Sequence, residues 1–241
     1  MSQSGYSLRG ELLKVTLLIG GYVFDEVVQK GKMILDMYAK TILEADKRGH
    51  EIAVVAGGGK LARNYINLAK SLGASKSILD DVGILCTRVN AYLLISALGD
   101  RAYPYPPITY RDYVSAFLTG KIVVCGGMNP GQSTDAVAAL ISEYIGSDLM
   151  IKTTSTDGIY DKHPSEKGAK LIPRITYSQA RRIIAEYSYD PGTYQLIDPI
   201  ALKILERSNI PCRIVHGKDP KNILKAINGQ DIGTLVCGEL C

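Results

Sequence analysis

The sequence predicts an α/β domain with a mainly parallel sheet covered by helices on both faces. Two observations predict this architecture. Short apolar runs alternate along the chain with segments in which apolar residues recur at helical spacing. The runs are continuously apolar, which is typical of parallel strands buried on both faces. With 241 residues, 46% of them hydrophobic, the chain can bury a sizeable core.

The first half of the chain supplies four predicted strands, at 14–19, 52–56, 121–125 and 149–153. Helices are predicted between them from apolar residues spaced three and four apart. The first lies over 34–45 and the second over 61–72. A third carries the apolar residues Val82, Leu85, Val89, Leu93 and Ala97, and a fourth begins at Ser133 or Thr134.

The second half continues the alternation. Helices are predicted at 178–187, 199–207 and 219–229, and strands at 212–217 and 233–237. The proline-rich segment 103–107 and the polar segment 162–170 are predicted loops. We find no internal repeat and no clear linker.

Composition and charge exclude several classes of protein. The net charge of +4 is too small to indicate nucleic-acid binding. About 18 uninterrupted apolar residues would indicate a membrane span, and none occur. The N-terminus lacks the apolar segment of an export signal, so we expect a cytoplasmic protein with no membrane partner. The five cysteines form no cluster with histidine, so we expect no resident metal site.

Three glycine clusters each follow a predicted strand: Gly20-Gly21, Gly57-Gly58-Gly59, and Gly126-Gly127 with Gly131. Because the carboxyl ends of parallel strands meet at one edge of a sheet, we expect the clusters to lie together. Glycine lets the backbone approach a ligand, and the following helix directs N–H groups at an anion. The clusters therefore predict a site for several phosphates, with ordinary tight turns as the alternative.

Side chains near these glycines suit the same chemistry. Arg63 follows the second cluster by one helical turn, where its guanidinium can reach a phosphate. The third cluster has the spacing of a P-loop, but Gln132 stands where that motif has lysine, so a Walker A site is not predicted. Ser133 and Thr134 offer hydroxyls or simply cap a helix. Hydrolase, zinc-protease and dinucleotide-binding signatures are absent from the sequence.

Five segments together resemble the archaeal-type uridylate (UMP) kinases of the amino acid kinase superfamily. They are 54–66, 80–98, 126–140, 156–164 and 198–208. The resemblance implies one domain over 1–241 with an α/β/α sandwich fold, an acceptor half at about 1–145 and a nucleotide half at about 146–241. It also implies a hexamer that transfers the γ-phosphate of ATP, bound with Mg²⁺, to UMP.

The resemblance implies roles for individual residues. On the acceptor side, Gly58 lies between the phosphates and Asp80 accepts hydrogen bonds from the UMP ribose. The uracil and α-phosphate are cradled by Met128, Asn129, Pro130, Gly131, Gln132, Ser133 and Thr134. On the nucleotide side the implied contacts are Gly59, Arg63, Thr154, Ser155, Tyr160 and His163. The implied catalytic set is Gly20, Gly21, Arg63, Asp157 and Lys203.

The first loop departs from the pattern of this family. Its lysine is often found where this chain has Leu18, and Tyr22 replaces a small hydroxyl residue. Ser155 and His163 also replace the usual asparagine and aspartate. Two alternatives therefore stay open: a kinase for another small phosphorylated or carboxylated acceptor, and a non-catalytic protein that binds nucleotides or oxyanions.

Overall fold

The computed structural model describes residues 11–187 and 196–238. Within these ranges the strands are β1 (Lys14–Ile19), β2 (Glu51–Ala56), β3 (Val123–Cys125), β4 (Leu149–Thr154), β5 (Arg174–Thr176), β6 (Cys212–His216) and β7 (Thr234–Cys237). The helices are α1 (Gly21–Lys30), α2 (Met33–Lys47), α3 (Gly59–Ser71), α4 (Lys76–Leu98), α5 (Tyr110–Phe117), α6 (Thr134–Ile145), α7 (Tyr177–Tyr187), α8 (Pro199–Arg207) and α9 (Lys221–Ile227).

The described strands form one mainly parallel sheet in the order β3-β2-β1-β4-β6-β7-β5. The β6–β7 pair is antiparallel, and the other pairs are parallel. All six predicted strands are present. Short β5, at the edge beside β7, was not predicted, because three residues are too few to show a pattern.

The two faces of the sheet belong to two separate cores, which confirms the predicted three-layer sandwich. Along β1, Leu17 packs in one core and Leu18 in the other, since successive side chains of a strand point to opposite faces. Helices α5, α6, α7 and α8 cover the Leu18 face, and α1, α2, α4 and α9 cover the Leu17 face.

The predicted helices are present, and two further ones, α1 and α5, were missed. Both are short, and α1 begins on glycine without a side-chain cap, so neither carries a long apolar pattern. The apolar residues that predicted the buried face of α4 instead lie largely on its outer face. Leu85 is 58% exposed and Val89 53% exposed, whereas the side chains of Ile84, Ala91 and Leu94 are buried.

Helix α4 and the turn after it, Lys76–Arg101, are long and apolar enough by composition to cross a membrane. In this fold, however, α4 packs on β2 and β3, and its buried residues include the polar side chains of Thr87 and Asn90. Both of these side chains bond to loops of the domain. The helix is therefore part of the folded domain, apolar on its inner and its outer face.

Candidate active site

The glycine loops that follow β1 and β2 touch each other, backbone against backbone. A Cβ atom at Gly57 would lie 2.6 Å from the backbone nitrogen of Gly21, and one at Gly21 would overlap the backbone of Gly59. The Gly57 N–H also donates to the Ile19 carbonyl over 2.9 Å. Glycine is needed at these positions because no side chain fits between the two loops.

Helix α4 fixes two of the glycine loops through polar side chains that sequence reasoning missed. Asn90 donates from Nδ2 to the Gly57 carbonyl over 2.7 Å. The Thr87 hydroxyl accepts from the Gly127 N–H over 2.7 Å. Two buried polar residues one helical turn apart, within an otherwise apolar helix, were the available signal.

The start of α6 faces the same edge of the sheet. Ser133 caps this helix by accepting from the Ala136 N–H over 3.1 Å, as the capping alternative predicted. The Ser133 hydroxyl also bonds to Asp198, whose carboxylate caps α8 at the Ile200 N–H over 2.8 Å. One hydroxyl–carboxylate contact thus joins the first turns of two helices.

A buried ion pair lies beside these helix starts. Lys152, 8% exposed, approaches both carboxylate oxygens of Asp135, 9% exposed, at 2.6 and 2.7 Å. The Asp198 N–H donates to Asp135 Oδ2 over 3.0 Å. Removal of two charges from water is costly unless they pair closely with additional hydrogen bonds, and this pair has both.

Sequence reasoning missed both members of this pair. The available signal was a lysine in the apolar strand β4, where a buried charge needs a reason. Lys152 is the register partner of Leu18 on β1, so it lies beside the position at which the resemblance led us to expect a first-loop lysine. The cleft therefore holds the Lys152 ammonium group close to the position of Leu18, where a lysine was expected.

These elements enclose a cleft of about 390 Å³. Its lining brings together nine of the predicted site residues: Gly20, Gly21, Gly58, Gly59, Arg63, Ser133, Thr134, Thr154 and Ser155. It also includes residues without a predicted site role, namely Leu18, Gly57, Asp135, Lys152 and Thr153, as well as Tyr22. The Arg63 side chain is exposed and forms no ion pair with any residue in the described ranges.

The remaining acceptor-side residues, Asp80 and 128–132, are not among the residues that line the cleft. Asp80, at the start of α4, accepts from the Gly131 N–H over 2.9 Å, which joins α4 to the loop after β3. Met128 is buried in the core, and the side chains of Asn129 and Gln132 bond to each other over 3.2 Å. Pro130 is exposed beside them.

The other nucleotide-side residues do not line the cleft. The Tyr160 hydroxyl donates to Asp157 over 3.1 Å, and His163 lies in a turn where it contacts Ser165. Lys203 is exposed on α8, on the side opposite the buried Leu202 and Leu205. The roles of these residues at the nucleotide stay predictions.

Tyr22 does not extend its hydroxyl into the glycine loops. Its ring packs on Gly20, and its hydroxyl reaches Gly217, just after β6, where no Cβ would fit beside it. Burial raises the pKa of Tyr22 well above the usual value for tyrosine. The adjacent Tyr38 hydroxyl donates to the Gly217 carbonyl over 2.8 Å. The ring thus forms a side wall of the cleft toward β6.

Comparison with known proteins identifies the family. The model of the amino acid kinase family matches residues 17–216, which is most of the chain. The chain belongs to the amino acid kinase family. It is 46% identical over 206 residues to the uridylate kinase of Hyperthermus butylicus, covering 85% of this chain and 91% of that one. It is 43% identical to the uridylate kinase of Methanobrevibacter smithii, over 93% of this chain and 99% of that one.

Solved structures of this kinase family share the fold. The crystal structure of uridylate kinase from Archaeoglobus fulgidus matches with a TM-score of 0.83 and 38% identity, covering 93% of this chain and 100% of that chain. UMP kinase from Bacillus anthracis matches with a TM-score of 0.77 at 23% identity, over 95% of this chain and 98% of that one, which shows the fold alone.

Proposed function

We propose that this protein is an ATP-dependent kinase that transfers the γ-phosphate of ATP to UMP, giving UDP and ADP. The observation that carries the proposal is one cleft that combines two side-chain-free glycine loops with two cations, Arg63 and Lys152. The uridylate kinases named above support the choice of UMP as acceptor. The alternative acceptors and the non-catalytic role gain no support from the relatives.

Phosphoryl transfer requires mainly positioning and stabilisation of charge. In our proposal the loops at Gly20-Gly21 and Gly58-Gly59 hold donor and acceptor phosphates close together through backbone N–H groups. Arg63, exposed and without an ion-pair partner in the described residues, extends from the first turn of α3 to the phosphates. Lys152 supplies positive charge from β4, and Asp135 holds its ammonium group in place. The acceptor is already an anionic phosphate, so no strong base is needed.

We propose that Mg²⁺ enters with ATP and is held largely by phosphate oxygens and water. The described residues contain no group of three histidine, cysteine, aspartate or glutamate side chains that could hold a metal. Asp135 is the one carboxylate among the described residues that line the cleft. A small set of oxygen ligands suits Mg²⁺, which keeps several waters, and the bound ion neutralises charge on the phosphates.

We also propose that the protein is a cytoplasmic homo-oligomer, with the hexamer as the expected form. Exposed apolar side chains on α3 and α4 border a groove of about 350 Å³, lined by Leu61, Tyr65, Val82, Leu85, Cys86 and Val89. An exposed apolar surface of this kind marks an interaction site. A second copy that presents the same face would cover it symmetrically.

The acceptor is tested by ADP release from purified protein with Mg-ATP and UMP, CMP, dUMP, GMP or no acceptor. We expect release that depends on UMP. Arg63→Ala should lower this rate, whereas Arg48→Ala, an exposed arginine at the end of α2, should leave it unchanged. Release with another acceptor instead of UMP, or nucleotide binding with no release, would refute the proposal.

A further inference from the structure

The side chain of Gln132 is held by two donors at one end only. Its Oε1 oxygen accepts from the Tyr110 hydroxyl over 2.8 Å and from Asn129 Nδ2 over 3.2 Å. The amide nitrogen of Gln132 meets no acceptor among the residues that the structure describes. An amide has a distinct acceptor end and donor end, so this arrangement presents the Gln132 NH₂ group as the available end.

Tyr110 is itself fixed in position. It opens α5, which Thr109 caps by accepting from the Asp112 N–H over 3.1 Å. The Tyr110 ring stacks on that of Tyr144 on α6, with 5.5 Å between the ring centres. Burial raises the pKa of Tyr110, and its hydroxyl donates to Gln132 Oε1. The orientation of the Gln132 amide thus follows from a rigid contact between two helices.

Gln132 is not among the residues that line the cleft, but it lies in the loop that leads into it. The residue before it, Gly131, is bonded through its N–H to Asp80. The two residues after it, Ser133 and Thr134, line the cleft. A ligand that extends from the cleft between α4 and the loop after β3 would reach Gln132 beyond its phosphate-binding region.

We propose that Tyr110 orients Gln132 so that its amide nitrogen donates to the C4 carbonyl of the acceptor base, which selects uracil over cytosine. The inference rests on the proposed function, since it assigns the base contact of that acceptor. Uracil has a carbonyl oxygen at C4 and accepts a hydrogen bond there. Cytosine has an amino group at C4, which faces the amide as donor against donor and leaves both groups unpaired.

The test is the ratio of kcat/KM for UMP to kcat/KM for CMP. Gln132→Leu removes the donor and should lower this ratio about tenfold. Tyr110→Phe removes only the hydroxyl and should lower it about threefold, because the freed amide can rotate. Gln132→Glu places an acceptor opposite C4 and should raise the relative use of CMP. Tyr144→Phe, which removes the hydroxyl of the stacked partner, is the matched control and should leave the ratio unchanged.

A second readout separates the two base carbonyls. Sulfur accepts hydrogen bonds poorly, so the wild type should use 4-thio-UMP less well than UMP, and Gln132→Leu should reduce that difference. A loss confined to 2-thio-UMP would place the contact at C2, which both bases share, and would overturn the proposal. An unchanged UMP-to-CMP ratio in Tyr110→Phe and Gln132→Leu, with UMP still phosphorylated, would overturn it while the kinase assignment stands. No transfer to UMP by the wild type would refute both.

Discussion

The ends of β1 and β4 lie side by side at the cleft and carry different chemistry. On β1, the buried Leu18 leads into Gly20-Gly21, which offer the ligand backbone alone. On β4, its register partner Lys152 offers a full positive charge, held by Asp135. In our proposal, the loops of this cleft let the ligand approach the backbone closely, while a strand side chain supplies charge. The absence of lysine from the first loop therefore does not leave the cleft without a central cation.

The largest change in stability is expected at Asp135, the counter-charge of Lys152. Asp135→Asn should lower the free energy of unfolding by about 3–5 kcal/mol, because it leaves the buried Lys152 ammonium without a counter-charge. Denaturant unfolding measures this change. The matched control is Asp46→Asn, which removes the partner of Arg101 in a more exposed ion pair and should cost about 1 kcal/mol or less. Equal losses in the two variants would contradict the importance of the buried pair.

Replacement of Lys152 tests the charge itself. Lys152→Met keeps the length of the side chain and should lower kcat for UDP formation by about 10²–10³, the cost of one lost donor to transition-state charge. Steady-state kinetics at saturating Mg-ATP and UMP measures it. Lys47→Met, at the exposed end of α2, should leave kcat unchanged. Lys203→Met tests the lysine that the family resemblance indicated, and a larger loss of kcat there than at Lys152 would reverse our assignment.

The close packing of the two glycine loops is tested by adding a methyl group at Gly21. Gly21→Ala forces a methyl group into the Gly59 backbone and should cost about 1–3 kcal/mol of stability, with a loss of activity as the loops separate. Thermal or denaturant unfolding with parallel assays measures both effects. Gly83→Ala on α4 is the control, because its new methyl group meets only the flexible end of Ile66, at 3.2 Å. Tolerance of both changes would show that the two loops are not closely packed in solution.

The smallest expected effect is at Tyr22. Its buried hydroxyl lies near the hydroxyls of Tyr38 and Thr153 but makes no well-aligned hydrogen bond to a described residue, so Tyr22→Phe should change stability by about 1 kcal/mol or less. Tyr38→Phe removes the bond to the Gly217 carbonyl and should be destabilising. A large loss of kcat in Tyr22→Phe would instead give this hydroxyl a role at the donor phosphates.

The sequence predicted the sheet well, since strands buried on both faces carry an unmistakable apolar pattern. It misjudged α4, where Leu85 and Val89 lie on the outer face. The helical spacing of apolar residues indicates an apolar face, but it does not indicate whether the same chain or a partner covers that face. The pairing of Lys152 with Asp135 joins positions 17 residues apart through the packing of α6 on the sheet. No local spacing encodes that contact.

The site was predicted best where backbone geometry requires a residue type and worst where long-range contacts decide. The first two glycine clusters line the cleft and the α6 cap lies where the pattern indicated, whereas Gly126, Gly127 and Gly131 of the third cluster are not among the residues that line it. Thr87 and Asn90 were overlooked because their partners are loops that follow other strands. Lys203 was a candidate through the family resemblance; it is exposed on α8 and not among the residues that line the cleft, and its role stays a prediction.

The most direct test is phosphorus NMR of Mg-ATP and UMP incubated with the wild type and, in parallel, with Lys152→Met. Our account predicts that the wild type forms UDP and ADP in equal amounts and that the variant forms neither over the same period. Equal UDP formation by both proteins would contradict the assignment of the central charge to Lys152. ATP consumption without UDP, or no reaction in the wild type, would contradict the proposed kinase activity itself.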